Sequence, residues 1–204
     1  ADEILDGQQE SELAEPLAKL RQVADQKRQQ RLDAGAVQID LPDPKIEVDW
    51  EDGEPTVSCR PESRESPAHQ LVSEFMILTN TLLGEFCRDH NIPAIFRSQE
   101  SPDGELIDDE IRSVPEGLPR QFAMLRRFKP GNTSTEPGYH FGLGVTAYAQ
   151  STSPIRRYVD LITQRQIKAF VTDQPLPYDQ DKMVELLAVV ETTGRQAGRV
   201  QGDR

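Results

Sequence analysis

Thr152-Ser153-Pro154-Ile155-Arg156-Arg157-Tyr158-Val159-Asp160 is the stretch of this chain best equipped for chemistry. Two hydroxyl side chains and a proline precede two adjacent arginines, and an aromatic and a carboxylate follow them. Thr152 or Ser153 can cap a helix by accepting a hydrogen bond from a free backbone N–H. Pro154 suits the first helical position, where its fixed φ helps and its missing donor costs nothing. The spacing predicts a helix opening at Pro154, with Ile155, Tyr158, Val159, Ile162, Ala169 and Phe170 at apolar helical intervals. Arg156, Arg157, Asp160, Gln164 and Lys168 fall mostly on other faces. At such a tip the unpaired N–H groups, the positive end of the helix dipole and the planar donor fork of Arg156 converge, a combination able to hold a phosphate group. The alternative, on spacing alone, is an ordinary capped helix whose arginines are solvated or paired with Asp160.

A scaffold for these residues is legible on both sides. Residues from about Glu10 to Leu32 contain no glycine and place Leu13, Leu17, Leu20 and Ala24 at helical intervals, which predicts a long helix ended by Gly35. Ala36-Val37-Gln38-Ile39-Asp40-Leu41 alternates like a strand, and Ile46 to Trp50 and Pro55 to Cys59 flank an Asp52-Gly53 turn. Ser66-Pro67 opens a further helix with an apolar stripe of Leu71, Phe75, Leu78, Leu82 and Phe86, ending near His90-Asn91. Acid, Pro and Gly residues from Gln99 to Glu116 indicate a loop with room for a short helix. Pro119 to Phe128 reads as helical, and Lys129 to Gly138 as a polar surface connection. From Asp179 to about Gln201, Met183, Leu186, Leu187 and Val190 recur at helical spacing before Gly194 and Gly198 weaken the pattern, so the end of this helix is expected to fray where no following domain covers it. The expected fold class is α+β, with long helices packed on a small, mostly antiparallel sheet.

Composition narrows the class. The 204 residues are 36% hydrophobic and 6% aromatic, lean but compatible with one domain or a large part of one. No run of 18 apolar residues and no charged-then-apolar leader occurs, so no membrane partner and a cytoplasmic location are expected. Cys59 and Cys87 have neither metal-site spacing nor a framework count, and read as reduced structural thiols. The net charge of −12 is unevenly spread: residues 1–110 carry 10 Lys and Arg against 26 Asp and Glu, residues 111–204 carry 13 against 9. A protein that binds a polyanion needs positive charge only along its track, and the basic half holds the arginine pair. Solvated surface accounts equally well for the acidic half.

The stretch Ser134-Thr135-Glu136-Pro137-Gly138-Tyr139-His140-Phe141-Gly142-Leu143-Gly144, followed after a short spacer by Thr152 to Ile162, resembles the C-terminal signature of the ribonuclease II catalytic domain, the RNB family. Weaker similarity runs through Glu74 to Asn80, Ile92 to Arg97 and Leu17 to Arg21, so nearly the whole chain is covered. The resemblance implies a hydrolytic, processive exoribonuclease that removes nucleotides from the 3′ end of single-stranded RNA, with magnesium (Mg2+) held by a cluster of aspartates. That cluster would lie ahead of Ala1, since Asp108-Asp109-Glu110 and Asp49-Trp50-Glu51-Asp52 lack its pattern, and an oligonucleotide-binding β-barrel would follow Arg204. Residues 1–204 are therefore expected to be the later part of an RNB catalytic domain, trimmed or a partial gene product, with no metal ligands of their own and little hydrolysis alone.

Roles follow from the resemblance. Arg156 matches the arginine near the scissile phosphate, where a fixed guanidinium can stabilise the charge that hydrolysis builds on phosphoryl oxygens. Arg157 is expected on RNA backbone, while Thr152 and Ser153 position the turn. Tyr158 either stacks on a base or ribose or packs in the core. Glu74 lies in a segment that would read the terminal sugar, where a carboxylate can accept a hydrogen bond from a 2′-hydroxyl; Ser73 replaces one expected acid beside it. Glu191 aligns loosely with an acid that seats the RNA end, or is a solvated helix residue. His140 reads as packed rather than as a general base, and His69 and His90 receive no role. Single-stranded RNA is the implied partner and DNA is not expected; a larger RNA-degrading assembly stays open. The competing reading is a non-catalytic RNA-binding or complex-forming remnant that kept the fold.

Overall fold

The computed structural model describes residues 2–51, 54–62 and 66–202. In chain order the elements are α1 (Asp2–Leu5), α2 (Ala14–Asp33), β1 (Asp43–Glu51), β2 (Glu54–Glu62), α3 (Pro67–Asp89), β3 (Phe96–Ser98), α4 (Asp109–Ser113), α5 (Leu118–Leu125), β4 (Asn132–Ser134), a 3-10 turn (Phe141–Leu143), α6 (Tyr158–Val171) and α7 (Gln180–Gly202). The class is α+β, and the strands form two separate antiparallel ladders, β1 with β2 and β3 with β4. The chain divides into two compact units, one of residues 1–28, 38–74 and 102–128, the other of 29–37, 75–101 and 129–204.

In the first unit, β1 and β2 pair from Asp43 with Glu62 to Glu51 with Glu54, as the alternation predicts; the Asp52-Gly53 turn lies outside the described residues. Opposite residues share a face, so Ile46, Val48 and Trp50 stand with Cys59, Val57 and Pro55, and this apolar face is exposed. Asp108 caps α4 by accepting the Ile111 N–H (3.0 Å), and Arg127 holds the same carboxylate (2.6 Å) and that of Glu110 (2.7 Å).

The strand expected over 36–41 does not form. The Val37 N–H donates to the Gly142 carbonyl (3.2 Å) and that of Asp40 to the Gln121 side chain (2.6 Å), so these amides find partners outside any ladder. Gly35 does end α2: at φ +94° it lets Gly35 N–H reach Leu32 O (3.0 Å) and Ala36 N–H reach Arg31 O (2.9 Å). Of the α2 stripe only Ala24 is fully buried; Leu13 and Leu20 are exposed.

Ser66 opens α3 by accepting the His69 N–H (3.2 Å). The buried face of α3 is offset from the expected stripe: Glu74, Asn80, Gly84 and Cys87 are deepest, while Leu82 is exposed. A Cβ on Gly84 would stand 2.9 Å from Ala149 N and 3.0 Å from the Ala147 backbone, so the missing side chain is what brings that segment onto the helix. The second unit packs around two clusters. One joins Cys87, Ile92, Ala94, Phe96 and Ala149, with Phe86, Ile167 and Phe170 against it. The other joins Ile95, Ile162 and Met183, with Val159, Tyr178, Leu186 and Leu187. β4 lies inside the stretch expected to be only a connection, and α7 runs through Gly194 and Gly198 to Gly202, where a weakening was expected.

Candidate functional site

Helix α6 starts at Tyr158, four residues later than the Pro154 start that the cap pattern suggests. Arg157 occupies the cap position with extended backbone, and neither Thr152 nor Ser153 caps α6. Residues 154–156 form a separate turn, in which the Arg156 N–H (3.2 Å) and the Arg157 N–H (3.0 Å) both donate to the Ser153 carbonyl. The cause is Asp160. Its side chain is 0% exposed and accepts the Ser153 N–H at 2.7 Å, so the carboxylate of the first helical turn reaches back and ties down the segment in front of it. The same carboxylate takes a two-pronged contact from the Arg157 guanidinium, Nε to Oδ1 and Nη2 to Oδ2, each 2.8 Å.

The two arginines are thereby separated. Arg157 lies inside the frame of the turn, with Nη2 also 3.5 Å from Thr152 Oγ1. Arg156 is exposed, and among the described residues its guanidinium has no hydrogen-bond or ion-pair partner. Ile155, expected on the core side, is instead 103% exposed, because the turn lifts it off the helix axis. Tyr158 is half exposed. An apolar, a cationic and an aromatic side chain are thus exposed within four consecutive residues, a set able to meet a base, a phosphate and a sugar.

Thr152 and Ser153 stand where a positioning role needs them. Ser153 contributes both its N–H and its carbonyl to the turn, and Thr152 Oγ1 accepts from Asn80 Nδ2 at 3.5 Å. Glu74 is buried on α3 in the first unit, and Glu191 is exposed on α7 in the second. The structure therefore brings Thr152, Ser153, Arg156, Arg157 and Tyr158 together. It adds Asn80 and Ser151, two buried polar residues that periodicity did not single out, and it pairs Arg157 with buried Asp160 as the capped-helix alternative allowed. Asp160 had a signal in its place three residues after Arg157, and Asn80 in being an amide within an apolar helical run.

The remaining candidates are structural. His140 packs edge-on against Tyr148 with ring centroids 5.8 Å apart, and burial, with the nearby Arg97 charge second, holds its imidazole below the ordinary range. Its Nδ1 is buried without a hydrogen-bond partner among the described residues. Burial pushes the Cys87 thiol up to about 11, which makes it unreactive. Two cavities of the second unit, about 330 Å³ and about 410 Å³, are not lined by Arg156. Among the described residues no group of three or more His, Cys, Asp or Glu is placed to hold a metal ion, so these residues do not fit a metal site by themselves. No described helix is long and apolar enough to cross a membrane.

The chain is 36% identical, over 91% of its length, to an uncharacterised ribonuclease of Synechocystis, of which it covers 27%. It is 30% identical, over 96% of its length, to exoribonuclease 2 of Yersinia pestis, of which it covers 34%. Among solved structures it superposes on the Dss1 exoribonuclease of Candida glabrata with a TM-score of 0.76 and 27% identity, over 90% of this chain and 25% of that one. Yeast Ssd1, a pseudonuclease, has the same fold at a TM-score of 0.57 and 15% identity, over 86% of this chain and 25% of that one, so the fold alone does not decide whether cleavage occurs. The chain spans about a quarter to a third of the length of these relatives. The RNB domain model matches residues 1–173, and with most of its length accounted for in this way the chain belongs to the RNB domain family.

Proposed function

We propose that the intact protein is a 3′-to-5′ hydrolytic exoribonuclease acting on single-stranded RNA, and that these residues are the later part of its catalytic domain. The observation that carries the reading is the separation of the arginines: Asp160 engages Arg157, and Arg156 is left presented from a pinned turn. Attack on a phosphodiester adds negative charge to the phosphoryl oxygens. A guanidinium carried on a backbone that is already pinned has less to reorganise when it meets that charge. Tyr158 then supplies a face for a base or ribose, and a sugar contact for Glu74 and an RNA-end contact for Glu191 enter the proposal from the family resemblance alone. Magnesium belongs to the same proposal, held by carboxylates outside the described residues. So do a cytoplasmic location and the preference for RNA over DNA.

The test is product analysis with the intact protein and a 5′-labelled single-stranded RNA. The reading expects magnesium-dependent shortening from the 3′ end with release of mononucleotides, and no such product from a DNA strand of the same sequence. A second reading, an RNA-binding or complex-forming protein that keeps the fold without cleavage, is favoured by the likeness to a pseudonuclease. Binding of the labelled RNA with no shortening under any divalent metal selects that second reading.

A further inference from the structure

We propose that Asn80 is a positioning residue for Arg156, a role that rests on the reading of Arg156 given above. Asn80 lies in the middle of α3 and is 1% exposed. A buried amide is costly unless its hydrogen bonds are made, and this one is used to capacity. Its Nδ2 donates to Tyr148 Oη (2.9 Å) and Thr152 Oγ1 (3.5 Å), and its Oδ1 accepts from the Ser151 N–H (2.9 Å) and Ser151 Oγ (2.9 Å). The Ser151 N–H can only donate, which fixes the end of the amide that carries the oxygen. An asparagine side chain offers two donors and two acceptor lone pairs, so nothing is left over for a ligand. Asn80 acts through what it holds.

What it holds is the segment that leads into Ser153-Pro154-Ile155-Arg156. The Ala149 N–H donates to the Asn80 backbone carbonyl (3.1 Å), and the bare Gly84, one turn further along α3, lets the same backbone settle on the helix. Gln164 of α6 donates to the Ser151 carbonyl at 2.6 Å. Asp160 secures the other end of the turn through the Ser153 N–H. Arg156 is therefore carried by a loop fastened to α3 before it and to α6 after it, and the backbone from which its side chain extends is set by two helices. A displacement of about 1 Å at a group that contacts the reacting phosphate costs about 100-fold in rate.

The experiment compares single-turnover cleavage and RNA affinity in the intact protein. Asn80→Ala is expected to slow cleavage by about 10- to 100-fold with affinity for single-stranded RNA retained. Asn80→Asp is expected to recover most of the rate, because both acceptor contacts persist and the hydroxyls of Tyr148 and Thr152 can turn to donate. In an Arg156→Ala background, Asn80→Ala is expected to add no further loss, since it acts through a side chain already removed. Tyr148→Phe removes one partner of the amide and serves if Asn80→Ala does not fold; it should give a smaller drop, equally absent in the Arg156→Ala background. The proposal is overturned if the Asn80 or Tyr148 effect multiplies with that of Arg156→Ala, if Asn80→Asp is as slow as Asn80→Ala, or if Asn80→Ala cleaves at the parent rate while Arg156→Ala does not. Parent-rate cleavage by Arg156→Ala itself strikes instead at the functional reading beneath it.

Discussion

Arg157→Ala should destabilise this chain far more than an arginine at the head of a helix ordinarily would. The carboxylate it serves, Asp160, is 0% exposed, while the Arg157 side chain is 27% exposed. Removing the arginine leaves a buried charge whose other contact is the Ser153 N–H. Breaking a buried pair from one side costs about 3–5 kcal/mol, and the partial exposure of Arg157 places this case near about 3 kcal/mol. Asp160→Ala leaves a guanidinium that can turn to water and one orphaned N–H, for a cost of about 2 kcal/mol. The double variant should cost less than the two singles together, with a coupling of at least about 1.5 kcal/mol. Urea unfolding of the three variants measures this, with the slope against denaturant unchanged so that the midpoint shift reports stability alone. An Arg157→Ala cost below about 1 kcal/mol, the range of an exposed pair, would refute the inference that the pair frames the turn.

Other consequences are checkable with the same material. Gly84→Ala should cost about 1–3 kcal/mol in thermal or urea unfolding, because its Cβ would meet the Ala147–Ala149 backbone at 2.9–3.0 Å and neither side can yield cheaply. The neutral ring of His140 is favoured in the folded chain, so its contribution to stability is intact above the ordinary value of 6.5 and is lost as pH falls below it. A His140→Phe variant should therefore lose less stability than the parent between about pH 6.5 and 5, and equal slopes would contradict the assignment. Exposed Cys59 should react with a thiol reagent in the native protein, whereas Cys87 should react only after unfolding.

Much of this scaffold is legible in the sequence because it follows from local rules. The hairpin of β1 and β2 is written in its alternation, the end of α2 in Gly35, and the start of α3 in Ser66-Pro67. What escaped is what depends on distant partners. Residues 36–41 alternate like a strand but lie where a carbonyl and a glutamine side chain take up their amides. The α3 stripe is rotated away from its apolar residues because Gly84 and Asn80 receive the 147–152 segment, a contact between residues some 70 positions apart. The α6 start slipped by one turn: the Asp160 carboxylate inside the helix takes the Ser153 N–H, and the Ser153 carbonyl takes the Arg156 and Arg157 N–H groups in a separate turn ahead of the helix. The arginine pair was visible as a pair; which of the two faces outward required the position of Asp160.

The separation of the two arginines is tested most directly by measuring, for Arg156→Ala and Arg157→Ala in the intact protein, both the single-turnover rate of RNA shortening and the free energy of unfolding. Arg156→Ala should lose cleavage by roughly 100-fold or more while unfolding as the parent does, and Arg157→Ala should lose stability by about 3 kcal/mol. Cleavage at the parent rate by Arg156→Ala, with or without a change in stability, would contradict the claim that this turn exists to present Arg156 to a phosphodiester.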